Sequence, residues 1–203
     1  MGHLGDGGWE ICDDPEVRPV PPCLIYSFGI GRDFSFDDEA ARWYKCHVYS
    51  FDPTIEWNSY NRSHFVHFYN VGIANKTYTN NKGWKYSTFS DIRAMLGHKQ
   101  SCINIVKIDV EGHEWDSLLQ MTLSGQLNTV NQLLIEYHFN SLTHRYLLKF
   151  FIVLQGVELA GFEVFYTHKN EGCGYRVQGF PPIKSRCFEV HYRRRYKVCQ
   201  SAI

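Results

Sequence analysis

The sequence predicts an α/β domain built on a mostly parallel, seven-stranded sheet that ends in an antiparallel hairpin. Three observations carry this reading. Short apolar runs alternate with helical segments, which implies βαβ units. The run Cys102–Val110 sets Ile103, Ile105, Val106, Ile108 and Val110 close together, a β-branched stretch suited to a buried strand. The last two apolar runs are joined by a Gly- and Pro-rich loop with no helix between them, so the second returns antiparallel to the first.

Each element follows from local signals. Residues 1–22 are rich in Gly, Asp and Pro and end in Pro19-Val20-Pro21-Pro22, an N-terminal arm before a domain over 23–203. The first strand is Cys23–Phe28, closed by Gly29. Ser35 is expected to cap a helix that runs to about Lys45, its hydroxyl accepting the amide of Asp38. A second strand, His47–Phe51, ends at Asp52-Pro53, where proline cannot continue the ladder. A third runs from Phe65 to Tyr69 or Val71.

Thr88 and Asp91 mark the next helix start, with Ile92, Met95 and Leu96 on one face. The Cys102–Val110 strand stops at Glu111-Gly112, and a helix follows from about His113 to Met121. Gln132–Tyr137 is another strand. The helix over Thr143–Ala160 carries Tyr146, Leu147, Phe150, Phe151, Leu154 and Val157 as an expected core stripe, and Gly161 ends it. Phe162–Thr167 and Cys187–Tyr192 form the closing pair.

The totals fit one folded domain. Of 203 residues, 44% are apolar, enough for a sizeable core. Lys plus Arg and Asp plus Glu number 21 each, so no general electrostatic hold on nucleic acid or anionic membrane is indicated. Arg193-Arg194-Arg195 with Lys197 reads as a solvated strand end. The most apolar stretch, Leu147–Leu154, contains Lys149 and is too short to span a bilayer. Asp6 stands where a myristoylation signal would need Ser or Thr.

Seven cysteines, at 12, 23, 46, 102, 173, 187 and 199, include no Cys-x-x-Cys pair and do not fit a zinc site. Cys12 with Cys23 is an expected bridge fastening the arm, and Cys173 with Cys187 an expected staple of the closing hairpin, the alternative being reduced, separately buried thiols. Two glycosylation sequons, Asn61-Arg62-Ser63 and Asn75-Lys76-Thr77, join the cysteines in pointing to a secretory-pathway protein whose targeting segment lies outside this sequence.

In open parallel sheets, ligands bind outside the carboxyl ends of the strands at the point where the strand order reverses. The first strand ends Ser27-Phe28-Gly29-Ile30-Gly31, and Gly29 and Gly31 allow close backbone approach to a nucleotide-like ligand. Phe34 stands where a dinucleotide fingerprint would place its third glycine, which disfavours a nicotinamide cofactor. Asp52 falls 23 positions after Gly29, where an acid can accept hydrogen bonds from both hydroxyls of an adenosine ribose. The fourth strand ends in Asp109 and Glu111, followed by His113; the fifth ends in Glu136 and His138. Carboxylates and histidines converging at one sheet edge need a partner or a purpose.

The segment Ile108-Asp109-Val110-Glu111-Gly112-His113-Glu114-Trp115 resembles the signature of the FkbM-type methyltransferases. Gly7–Cys12, Pro22–Ile30 and Tyr49–Pro53 resemble more closely still a group of methyltransferase-like proteins. The resemblance implies a Rossmann-like class I methyltransferase domain that uses S-adenosylmethionine, and it covers nearly the whole chain. Ser27 departs from it, since many members of the superfamily carry an acid there.

On this reading Gly29, Gly31, Asp52 and Asp109 hold the cofactor. Glu111, His113, Glu136 and His138 are the candidates for removing a proton from a hydroxyl acceptor. O-methylation of a small molecule or glycan is expected, with no nucleic-acid partner and no membrane contact by the domain itself. No residue is assigned as a metal ligand. Two alternatives stay open: a divalent ion held by Asp109, Glu111, Glu136 and His138, and a catalytically silent binding domain that keeps the fold.

Overall fold

The computed structural model describes residues 1–3, 8–141, 143–196 and 198; Asp6, Gly7, Lys197 and Cys199 lie outside them. The chain enters the sheet with β1 (Leu24–Phe28), then α1 (Ser35–Tyr44) and β2 (His47–Phe51). β3 (Tyr60–Asn61) and β4 (Val66–Tyr69) follow, then three short strands, β5 (Gly72–Ile73), β6 (Tyr78–Thr79) and β7 (Lys85–Ser87). Next come α2 (Phe89–Met95), β8 (Ile103–Ile108), α3 (Glu114–Leu123), β9 (Val130–His138) and α4 (His144–Leu159). The chain closes with β10 (Phe162–Lys169), β11 (Gly174–Val177), β12 (Phe180–Ser185) and β13 (Cys187–Arg194).

The central sheet has the order β10-β13-β9-β8-β1-β2-β4-β3. Pairs β1/β2, β1/β8, β2/β4 and β8/β9 are parallel, whereas β13 runs antiparallel between β9 and β10. All seven expected strands are present, and the two-residue β3 adds an eighth at the far edge. From β1 the chain moves outward through β2 and β4, then crosses to β8 and β9 on the other side. The reversal point therefore lies at β1. β5, β6 and β7 form a separate small sheet that the sequence pattern did not reveal.

Two apolar layers sandwich the central sheet. One joins Tyr26, Phe28, Phe51, Ile92, Trp115, Leu118, Phe150 and Val157 under α2, α3 and α4. The other joins Ile25, Val48, Phe36, Ala40 and Ala41 with Trp9 of the arm. The arm is thus fastened by packing. Trp9 is buried and stacks on His191 at 5.5 Å, and the Gln132 side chain bonds both the amide and the carbonyl of Cys12.

Several local expectations are corrected. Ser35 does not cap α1: its amide and hydroxyl instead both donate to Asp33, two residues earlier. Thr88 does cap α2, accepting from the Asp91 amide. In α4 only Phe150, Val153 and Val157 are buried; Tyr146, Leu147, Phe151 and Leu154 are exposed. A helix laid on the outside of a sheet buries a narrow stripe, and here that stripe is the 150–153–157 line. Arg194 is not a solvated strand end either. It is buried, its guanidinium donating to the carbonyls of Val130, Ala160 and Leu127 above the Phe162 ring.

Cys23 is bridged to Cys46, not to Cys12, which is buried and free. The reason is register. Leu24 pairs with His47 across the first two strands, so the residues just before them face each other with Cα atoms 4.7 Å apart. Cys173–Cys187 is bridged as expected, at 5.6 Å, and Cys102 is also disulfide-bonded. No helix among the described residues is long and apolar enough to cross a membrane.

Candidate active site

A cavity of about 590 Å³ opens at the carboxyl ends of β1, β2 and β8, at the reversal point of the sheet. That volume falls within the range of small-molecule and cofactor sites. Gly29, Gly31, Asp52, Asp109, Glu111 and His113, all read from the sequence as site residues, line it. Glu136 and His138 do not line it; they are buried beside it at the end of β9.

The glycine turn is shaped by its neighbours. Gly29 has φ +77°, and a Cβ there would fall 1.5 Å from the Asp109 carbonyl oxygen. Only glycine permits the end of β1 to lie so close to the end of β8. The Gly29 amide donates to Phe51 O at 2.8 Å and the Asp109 amide to Phe28 O at 3.0 Å, so the ladders continue past the strand ends. Gly31, with φ +52°, donates its amide to Asp52 Oδ2 at 2.9 Å. Asp52 Oδ1 takes the Thr54 amide at 2.8 Å and its hydroxyl at 2.6 Å. The carboxylate that ends β2 is thereby fixed against the turn that ends β1.

Behind the turn sits a buried polar group that sequence reasoning missed. Asp37 on α1 is 1% exposed and accepts from the Ser50 hydroxyl at 2.5 Å. Burial pushes its carboxyl up to about 6, against the lowering pull of Ser50, Lys107 and Ser27. Lys107, also buried, donates to Gly29 O at 3.3 Å and stands 4.6 Å from the centre of the Trp9 ring. Asp37 was legible only as a helix-start acid; its place beside Phe36, one turn before Ala40 and Ala41, was the available clue to burial.

The small sheet supplies one wall through Gly72, Ile73, Trp84 and Tyr86. Tyr86 is stacked between Tyr78 at 5.0 Å and His113 at 5.3 Å, which orients the His113 ring.

At the β8–β9 edge, Glu114 organises the turn. It is fully buried, and its carboxylate accepts the amides of Gly112 and His138, each at 2.7 Å. Glu111 sits in the left-handed region at φ 54°. Its Oε2 lies 3.3 Å from His138 Nε2, and Glu136 Oε1 lies 4.0 Å from the same nitrogen. Burial and the adjoining Asp109 charge push the Glu136 carboxyl up. Burial pulls the His138 imidazole down, but the carboxylates of Glu114, Glu136 and Glu111 outweigh it, so the net direction is up.

A mostly parallel sheet with this strand order, carrying a glycine turn and an acid at the ends of its first two strands, defines a Rossmann-like fold. The comparisons with known proteins agree. The chain belongs to the methyltransferase domain family, whose model matches residues 1–174. It is similar to probable methyltransferase-like protein 24 of Rattus norvegicus, 25% identical over 185 residues, and to that of Homo sapiens, 23% identical over 184 residues. Each match covers 80% of this chain, which spans 49% and 48% of those relatives' lengths. Among solved structures, the Methanococcus jannaschii fibrillarin pre-rRNA processing protein superposes with a TM-score of 0.50 at 9% identity, over 94% of this chain and 72% of that one. That likeness is one of fold.

Proposed function

We propose that the domain is an S-adenosylmethionine-dependent methyltransferase that acts on a hydroxyl of a small molecule or glycan. One observation carries the reading: Asp52 is locked to the Gly31 amide at the mouth of a cavity that lies at the reversal point of the sheet. The residues present fit the cofactor. The turn at Gly29 leaves room only for backbone, Asp52 offers a carboxylate to vicinal hydroxyls, and Ile30, Ile73, Trp84 and Tyr86 give apolar walls for a flat base.

When bound, S-adenosylmethionine supplies a methyl group activated on a sulfonium. The chain's own part is alignment, since displacement at a methyl carbon needs the acceptor oxygen held in line with the leaving sulfur. Gly29, Gly31, Asp52 and Asp109 are assigned to the cofactor. Of the four proton-accepting candidates, Glu111 and His113 face the cavity, and Glu136 and His138 stand behind Glu111. The raised Glu136 carboxyl suits a group that takes up a proton near neutral pH, and stacking on Tyr86 orients the His113 ring beside the cavity.

Calorimetric titration tests the cofactor. S-adenosylmethionine should bind one site per chain, and NAD should not bind. No heat from folded protein would overturn the enzyme reading in favour of a silent domain. Transfer of labelled methyl to hydroxyl compounds tests the acceptor; label found only on nitrogen or sulfur would refute O-methylation.

We also infer folding in the secretory pathway. The bridges Cys23–Cys46 and Cys173–Cys187 fit an oxidising compartment, and the sequon residues Asn61 and Asn75 are exposed. Expression in secreting cells, followed by glycosidase treatment and mass measurement, tests this; an unmodified mass would count against it.

A further inference from the structure

We infer that Lys107 and Asp37, beside the Trp9 ring of the N-terminal arm, bind the zwitterionic α-amino-acid end of the cofactor, Lys107 taking its carboxylate and Asp37 its ammonium. The inference rests on the methyltransferase reading for the identity of that ligand. Strand alternation places the two groups. Ile25 and Ile105 face the apolar layer beneath α1, so Ser27 and Lys107, each two residues further along a pair of parallel strands, face it too. Asp37, in the first turn of α1, is buried against the same face of the sheet and accepts from Ser50 of β2.

Lys107 is the observation that carries the inference. It is 5% exposed and lines the cavity. Its ammonium donates to Gly29 O at 3.3 Å and stands 4.6 Å from the centre of the Trp9 ring. Among the described residues no carboxylate forms an ion pair with it. An ammonium carries three donors, so one carbonyl and one ring face leave it short of partners. A buried cation in that state is costly unless an anion joins it.

Asp37 lines the same cavity. Its carboxyl feels the Lys107 charge, yet the two groups form no ion pair. Two buried groups of opposite charge that share a cavity without touching match a ligand bearing a carboxylate and an ammonium on one carbon. The cavity also reaches the right place. Ile73 belongs to the layer under α2, α3 and α4, whereas Trp9 and Phe36 belong to the layer under α1, and all three line it. It therefore extends over both faces of the sheet, across the glycine turn. A ligand with its base on the Ile73 wall and its ribose at Asp52 has the α1 side left for its far end.

Calorimetry with three ligands that share one nucleoside tests the assignment. They are S-adenosylhomocysteine, its decarboxylated analogue, and methylthioadenosine, which lacks the whole amino-acid end. Wild type should bind S-adenosylhomocysteine about tenfold or more tightly than the decarboxylated analogue, the worth of a hydrogen bond between charged groups. In Lys107→Met, which keeps an unbranched side chain and removes the charge, that preference should vanish while methylthioadenosine binds as before. Asp37→Asn should likewise weaken S-adenosylhomocysteine and spare methylthioadenosine. Unchanged methylthioadenosine affinity shows at the same time that a variant is folded. Variants that keep the wild-type preference would overturn the assignment and make the two groups structural. Equal binding of S-adenosylhomocysteine and its decarboxylated analogue by wild type would overturn it without any variant, and would leave the methyltransferase reading standing. Folded wild type that binds none of the three would refute that reading and the assignment with it.

Discussion

Asp52 Oδ2 accepts the Gly31 amide at 2.9 Å, joining the acid at the end of one strand to the glycine turn at the end of its neighbour. Because Oδ1 is already taken by Thr54, the capacity left for a ligand is on Oδ2. Asp52→Ala should weaken S-adenosylmethionine binding by roughly 1–3 kcal/mol, the loss of charge-assisted hydrogen bonds. Asp52→Asn, which can still accept from Gly31, should lose less. Equal affinities in wild type and Asp52→Ala, measured by calorimetry, would remove Asp52 from the cofactor site.

The two glycines of the turn should respond differently to alanine. At Gly29 a methyl group would collide with the Asp109 backbone, so Gly29→Ala should cost about 3 kcal/mol or more and abolish cofactor binding. At Gly31 nothing lies within 4 Å, so alanine meets only the left-handed backbone penalty of roughly 1–2 kcal/mol. Urea unfolding of the two variants gives the comparison; similar losses would contradict the packing described here.

Asp37 should make stability fall as pH rises. Its native carboxyl is pushed up to about 6 by burial, while the ordinary value is 3.8. Between those values the native chain holds a proton that the unfolded chain has released. The contribution is therefore fully present below about pH 4 and is lost as pH climbs through 6. Asp37→Asn keeps an acceptor for the Ser50 hydroxyl and should remove this loss, adding about 3 kcal/mol at pH 8 relative to pH 4. Denaturation at the two pH values checks it, and a variant whose pH dependence parallels that of wild type would show Asp37 to be ionised at no cost.

The Cys23–Cys46 bridge closes a loop with a sequence separation of 23 residues, and Cys173–Cys187 one of 14. Replacing either pair by serine should lower stability by about 3 kcal/mol in the loop-entropy account. Non-reducing mass measurement should find Cys12 alkylated and these four cysteines protected. Alkylation of Cys23 before denaturation would refute the pairing.

Much of the frame was readable from local pattern. The Ile103–Ile108 strand, the Thr88 cap and the Gly29–Gly31 turn rest on neighbouring residues, and local chemistry decides them. The order of glycine turn, Asp52 and Asp109 was readable too, because strand ends are marked by Gly and Pro. The three-stranded wall with Trp84 and Tyr86 was not. Its strands are two or three residues long, too short to show a period. Nor was the exposure of Phe151 and Leu154 on α4, since helical spacing says which residues share a face but not how wide a face the sheet will cover.

The sequence by itself determined the succession of strands and helices, the closing antiparallel pair and the set of residues at the strand ends. These follow from side-chain period and backbone preference within a few residues. Tertiary structure alone decided that Cys23 meets Cys46, that Trp9 is packed over Lys107, that Asp37 is buried, and that Glu114 backs His138 against Glu111. Each of these joins elements through strand register and layer packing. Register is fixed only when a strand's whole apolar face finds its layer, a condition that no local stretch of sequence contains.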